Sequence, residues 1–182
     1  MIKPYNTIVF IGRFQILHNA HVKIIEQASA MADQVVVIIG SANQPRTLKN
    51  PFTENERKDV LEKSLHCSNV IFKYNFDTLD DDCAWAIRVQ DLVEETMPTG
   101  NIGIIGHDKD ESTFYLSMFP QWDRIDVDTI IEELHASNIR DVYFSESSNK
   151  YSIKIDIPVP MMDFLIEFKE TEAYKQIVRD RG

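Results

Sequence analysis

Residues 12–21 read GRFQILHNAH and follow the apolar run IVFI. A glycine, an arginine, a glutamine and two histidines placed where an apolar run ends are residue types that hold anionic oxygens. Gly12 lets the chain turn sharply or a ligand approach the backbone. Arg13 brings a planar fork of donors. His18 and His21 flank the start of a helical pattern, where backbone N–H groups and the positive helix end add to the attraction for phosphate. Arg46, Lys49, Arg57, Lys109 and Arg140 fall in or near other segments that follow apolar runs. The plainer reading of the histidine pair is two surface histidines, and on spacing alone that is the commoner case. Zinc is weaker still: the i,i+4 spacing with an intervening Glu is absent and no third ligand is evident.

The whole chain carries a formal charge of −10. That argues against broad binding to nucleic acid or to anionic lipid, and it requires any site for an anionic small molecule to gather basic residues locally. No apolar run reaches the length of a membrane span, and MIKPYNT lacks the apolar stretch of a signal peptide. Cys67 and Cys83, the only cysteines, have no metal spacing. A reduced, cytoplasmic setting is the expectation.

The elements that must position these residues follow from periodicity. TIVFI (7–11), QVVVIIGSA (34–42), NVIFKYNF (69–76), NIGIIGH (101–107) and RIDVD (124–128) read as strands. Between them lie helical patterns: Ala20–Ala32, with Asn19 as the N-cap, then TENERKDVLEKSL, then residues 80–97, then ESTFYLSMF. Thr53 and Glu56 form a capping box. Strands alternating with helices, and apolar on both faces, predict an α/β fold with a doubly wound parallel sheet. Past about residue 129 the alternation stops; Ser137 is expected to cap a short helix over NIRDVYF, and two closing helices follow Pro160. No linker or repeat interrupts the chain, so residues 1–182 are expected to form one domain.

Ligands of such sheets bind beyond the C-terminal ends of the strands, where the basic residues above are concentrated. Arg57 has a bland alternative, pairing with Glu54 or the acidic charge around Asp59. Trp85 is more often core than a stacking platform, and Asp80–Asp82 read as helix N-terminal charge before they read as a metal site.

The segments GRFQ (12–15), HNAH (18–21), IGSANQ (39–44), NPFTENER (50–57), Trp85, GHDKDESTFYLSMFPQW (106–122) and HASNIR (135–140) together resemble the nicotinamide-nucleotide adenylyltransferases of the HxGH nucleotidyltransferase superfamily. The likeness is to the archaeal type and to the transferase part of bacterial enzymes that carry a Nudix hydrolase domain; no Nudix box occurs in these 182 residues. Ala20 stands where the superfamily signature has glycine, and Ile16 where the family usually has proline. The second signature reads Ala136-Ser137-Asn138-Ile139-Arg140.

The resemblance implies a Rossmann-like nucleotidyltransferase fold and the reaction ATP + nicotinamide mononucleotide → NAD + pyrophosphate. It places Gly12, Arg13, Phe14, Gln15, His18, His21, Gly106, Ser137, Asn138 and Arg140 on ATP, with His18, His21 and Arg140 on its phosphates. Lys49 and Arg13 lie between the phosphates of the two substrates. Ser41, Lys49, Asp77 and Trp85 face the mononucleotide, Trp85 stacking on the ring and Asp77 accepting from its carboxamide. Mg²⁺ accompanies ATP without a dedicated set of protein ligands, and a homo-oligomer is expected. The competing readings are a sibling transferase acting on pantetheine phosphate or a cytidylyl donor, and a nucleotide-binding regulator without turnover.

Overall fold

In the computed structural model of the protein, residues 2–78, 81–106, 111–127, 136–145 and 157–181 are described, with main chain only at 111–114 and 136–138. Five strands form one parallel sheet: β1 (Tyr5–Gly12), β2 (Ala32–Ile39), β3 (Val70–Tyr74), β4 (Ile102–Gly106) and β5 (Asp123–Asp126), in the order β3-β2-β1-β4-β5. The chain winds outward from β1 in one direction as far as β3, then returns to β4 on the other side of β1. The switch point therefore lies between β1 and β4, and Gly12 and Gly106 end those two strands.

The strands are apolar on both faces because both faces are covered. On β1, Ile8 and Phe10 enter one core while Val9 and Ile11 enter the other. On β2, Val35, Val37 and Ile39 alternate in the same way with Val36 and Ile38. The first core is closed by α1 (Asn19–Met31), α2 (Glu54–Ser64), α4 (Ala136–Tyr143), α5 (Val159–Phe168) and α6 (Glu172–Arg181). The second is closed by α3 (Asp82–Glu94) and the 3₁₀ helix Glu111–Met118. The doubly wound class expected from the strand–helix alternation is the one observed.

Local signals held where they were strongest. Thr53 caps α2, accepting from the Glu56 N–H at 3.3 Å while the Glu56 carboxylate accepts from the Thr53 N–H at 2.8 Å. Asp81 caps α3 by accepting from the Ala84 N–H at 2.8 Å. Two expected caps shift. The N-cap of α1 is His18, not Asn19: His18 has extended backbone, and its N–H donates to Nδ1 of His21 at 3.4 Å, so the histidine pair itself closes the helix start. Ser137 does not cap α4, because Ala136, a strong helix former, already has helical geometry and places Ser137 in the first turn. No helix among the described residues is long and apolar enough to cross a membrane.

Candidate functional site

Beyond Gly12 the chain leaves the sheet in a tight bend. Phe14 sits in the left-handed region at φ 52°, and its ring lies under Gly12, where any added Cβ would meet it at 2.7 Å. A glycine is therefore needed at 12 for close packing rather than for its dihedral freedom. The Phe14 ring meets His21 edge-on at 5.0 Å, and the His18 and His21 rings stack at 3.6 Å. His18 is buried and His21 half-buried at the N-terminal end of α1. A packed aromatic floor thus orients both imidazoles at a positive helix end.

Arg57 does not make the surface ion pair that was its bland alternative. It is 3% exposed, and its guanidinium donates to four main-chain carbonyls: Arg13 at 2.7 Å, Gly40 at 2.7 Å, Ser41 at 3.3 Å and, through Nε, Thr53 at 3.2 Å. Among the described residues no carboxylate lies within ion-pair distance of it. Burial, helped by the nearby charge of Arg13 and opposed by Glu54 and Asp77, pushes its pKa down to about 10, so it stays protonated at neutral pH. Arg140 is also depressed, first by burial and then by Arg13. It projects from α4 and donates to the carbonyl of Gln15. Arg57 and Arg140 thus both bond to main-chain carbonyls of the stretch Arg13–Gln15, and the charge of Arg13 acts on each of them.

Gln15 joins this stretch to the chain before α2. Its buried amide donates to the Phe52 carbonyl at 2.8 Å and accepts from the Phe52 N–H at 3.0 Å. The Phe52 ring meets Phe164 and Phe168, each at 5.0 Å. Helix α4 is seated on the same C-terminal helices: the Tyr143 hydroxyl donates to the Leu165 carbonyl at 2.7 Å, and the Phe144 and Tyr174 rings stack at 5.3 Å. The position of Arg140 is thus inherited from α5 and α6.

The groups expected to meet the second substrate lie on α3 and in the chain beyond β2 and β3. Trp85 is half-buried on α3, edge-on to Tyr115 at 5.9 Å and tilted to Phe119 at 6.3 Å. The Tyr115 hydroxyl donates to the Ile11 carbonyl at 3.4 Å, and burial pushes its pKa up to about 12. Ser41, in the left-handed region at φ 51°, donates its hydroxyl to the Asp77 carboxylate at 3.0 Å. Asn43 exchanges hydrogen bonds with the Asp77 main chain at 3.1 and 2.9 Å. Asp77 is thereby fixed just beyond β3, on the chain that leads into the Asp81 cap and Trp85.

Lys49 is not drawn into this arrangement. It is exposed at a turn in which Thr47 and Asn50 exchange both main-chain hydrogen bonds, at 3.2 and 3.1 Å. Gly106 ends β4 with Leu116 packed against it; a Cβ there would meet the leucine at 2.9 Å. Lys109 and the side chains of Ser137 and Asn138 lie outside the described residues. The residues that periodicity could not find are Phe52, Tyr115 and the clamp made by Arg57. Only Arg57 carried a signal, a lone arginine in an otherwise charged helix.

The chain is similar in sequence and fold to known proteins. The cytidylyltransferase-like family model matches residues 9–174. A nicotinamide/nicotinic acid mononucleotide adenylyltransferase of Acinetobacter baylyi is 32% identical over 95% of this chain and 92% of its own. A nicotinamide-nucleotide adenylyltransferase of Sulfurisphaera tokodaii is 26% identical over 94% of this chain and 97% of its own. The crystal structure of a bifunctional NMN adenylyltransferase/ADP ribose pyrophosphatase from Francisella tularensis, complexed with AMP and a manganese ion, superposes with a TM-score of 0.83 at 26% identity. That match covers 97% of this chain, which spans about half (53%) of the Francisella protein. The chain belongs to the cytidylyltransferase-like family and, within it, to the nicotinamide-nucleotide adenylyltransferases.

Proposed function

We propose that the protein transfers AMP from ATP to nicotinamide mononucleotide, giving NAD and pyrophosphate. The observation that carries this reading is the convergence of Arg13, Arg57 and Arg140 on one short stretch of chain, three residues before the histidine pair. In a protein of net charge −10, like charges gathered this closely raise one another's energy, and a polyanion relieves that repulsion. The names of the relatives supply the chemistry that a polyanion site alone leaves open.

The mononucleotide's 5′-phosphate is largely dianionic at neutral pH, so its oxygen attacks the α-phosphorus of ATP without a general base. One P–O bond forms to α, the bond from α to the β-bridging oxygen breaks, and pyrophosphate departs with the electron pair. Catalysis then consists of in-line positioning and stabilisation of charge on the equatorial and leaving oxygens. His18, His21 and Arg140 hold the triphosphate, and Arg13 lies between the two substrates' phosphates. The main-chain N–H groups at the start of α4 add donors. Trp85 offers its face to the nicotinamide ring, and Asp77 accepts from the carboxamide. The half-buried Trp85 fits such a role, because its contacts with Tyr115 and Phe119, at 5.9 and 6.3 Å between ring centres, leave it partly exposed.

Among the described residues no group of three histidine, cysteine or carboxylate side chains is placed to hold a metal ion, and guanidinium groups cannot ligate one. A manganese ion accompanies AMP in the Francisella structure; here Mg²⁺ would enter with ATP, whose phosphate oxygens can supply most of its ligands.

The test is formation of NAD from MgATP and nicotinamide mononucleotide, run beside nicotinic acid mononucleotide, 4′-phosphopantetheine and CTP with phosphorylated acceptors. Turnover with the pyridine mononucleotide supports the assignment. Turnover confined to phosphopantetheine or to CTP replaces it with the sibling reaction.

A further inference from the structure

We propose that Arg57 is a positioning residue for this reaction: its buried guanidinium holds the chain after β1 and the chain after β2 at a fixed spacing, and so sets the two substrates in line. The proposal rests on the adenylyl-transfer reading above.

The sheet ends at the point where Arg57 acts. Gly12 pairs with Ile39 at the end of the β1–β2 ladder, and the Gly40 N–H donates to the Gly12 carbonyl at 2.9 Å. One residue further on, the two chains part and run to different places. The carbonyls of Arg13 and Gly40 then have no ladder partners, and that of Ser41 has only a long turn bond from the Gln44 N–H at 3.4 Å; carbonyls withdrawn from water require donors. Arg57 reaches across from α2 and supplies all three. Its Nη1 bridges Arg13 and Gly40, both at 2.7 Å, while Nη2 takes Ser41 at 3.3 Å. The guanidinium thus takes over from the ladder where the strands diverge. A planar fork of five N–H groups can do this in several directions at once; an ammonium at the end of a lysine cannot reproduce that geometry.

A purely structural role would stop there. Two observations extend it to the reaction. First, the two clamped chains lead to different substrates. The chain after β1 carries Arg13 and runs on to His18 and His21. The chain after β2 carries Ser41, which orients Asp77 at 3.0 Å. Reacting atoms must be held about 3–3.5 Å apart with orbitals aligned, so a change in the spacing between these chains shifts nucleophile against electrophile. Second, burying a charge is costly unless something uses it. All of Arg57's hydrogen-bond partners are neutral carbonyls, so its charge stays unneutralised by any described carboxylate at ion-pair distance. Arg13, on the chain expected to lie between the two phosphates, is near enough for its charge to act on Arg57.

The experiment measures kcat, both KM values and the melting midpoint for the parent, Arg57→Lys and Arg57→Gln, with MgATP and nicotinamide mononucleotide, at a temperature well below each variant's midpoint. In both variants kcat falls by about tenfold to a hundredfold, because misplacement acts on the reacting geometry. The two KM values stay within about threefold of the parent's, since each half of the site is carried by its own chain. Arg57→Lys keeps the charge and still fails to restore kcat. Parental kcat in folded variants overturns the proposal. So does an unchanged kcat with raised KM for either substrate, and so does failure of both variants to fold, which would make Arg57 a residue of the fold alone. A parent that makes no NAD overturns the reaction itself, and the proposal with it.

Discussion

The side-chain amide of Gln15 and the main chain of Phe52 are joined by two hydrogen bonds, at 2.8 and 3.0 Å, across 37 residues of sequence. The glutamine amide imitates a strand partner: it gives one donor and one acceptor to the main chain of a residue that belongs to no strand. Through its own carbonyl, Gln15 also receives Arg140. One buried residue therefore couples the end of β1, the loop before α2 and the helix that carries the second signature.

Gln15→Leu removes both bonds and leaves the buried N–H and C=O of Phe52 unsatisfied. The expected cost is about 1–3 kcal/mol of stability, read by urea denaturation. KM for ATP should rise together with this loss, because the carbonyl that receives Arg140 moves. A variant as stable as the parent would show that the Phe52 peptide finds another partner.

Trp85→Ala is expected to weaken the mononucleotide by about 1–3 kcal/mol, the range for loss of a base–aromatic stack, and to leave ATP nearly unaffected. Separate titrations of the two nucleotides by calorimetry check this. Equal loss for both would return Trp85 to the role of packing Tyr115 and Phe119.

Arg140 and His18 stand 122 positions apart in sequence, yet Arg140 bonds to the carbonyl three residues before that histidine. Arg140→Lys should raise the barrier by about 1–3 kcal/mol while preserving the charge, because lysine cannot grip two phosphate oxygens in the same fork. Combined with His18→Ala at saturating MgATP, the effects on kcat should be clearly non-additive if both act on one triphosphate. Strict additivity would separate the two residues.

Glu56 links cap and clamp. It accepts from Arg46 at 2.8 Å to each oxygen, and from the Thr53 N–H. Burial pushes its pKa up, but the bonds from Arg46 and Thr53 outweigh that and hold it below its ordinary value of 4.5. A depressed carboxyl contributes stability that is present above the unfolded value and lost as pH falls through the folded one. Glu56→Gln should therefore cost about 1 kcal/mol at pH 7. The gap to the parent should close once the pH drops below the usual carboxylate range. A gap that persists in acid would assign the effect to packing against Phe168, over whose ring Arg46 lies at 5.3 Å.

Much of the fold was legible in the chain because its causes are local. Runs such as VVVII are apolar at every position since both sheet faces are covered, and the alternation of strand and helix specifies parallel pairing. Thr53 and Glu56 announce a helix start through atoms three residues apart. The grouping of Arg13, His18 and His21 was legible for the same reason: all three follow closely in sequence beyond one strand.

Tertiary structure alone decided what holds those residues in place. Arg57 reaches Arg13 across 44 positions, and Arg140 reaches Gln15 across 125. In each case the acceptor is a main-chain carbonyl. Every residue has one, so no residue type in the sequence marks it as a partner. A charged side chain read by itself is assigned to the nearest charge of opposite sign, which is why Arg57 looked like a partner of Glu54. In the folded chain it is the diverging ends of β1 and β2 that need its donors, and that need exists only once the two strands lie side by side.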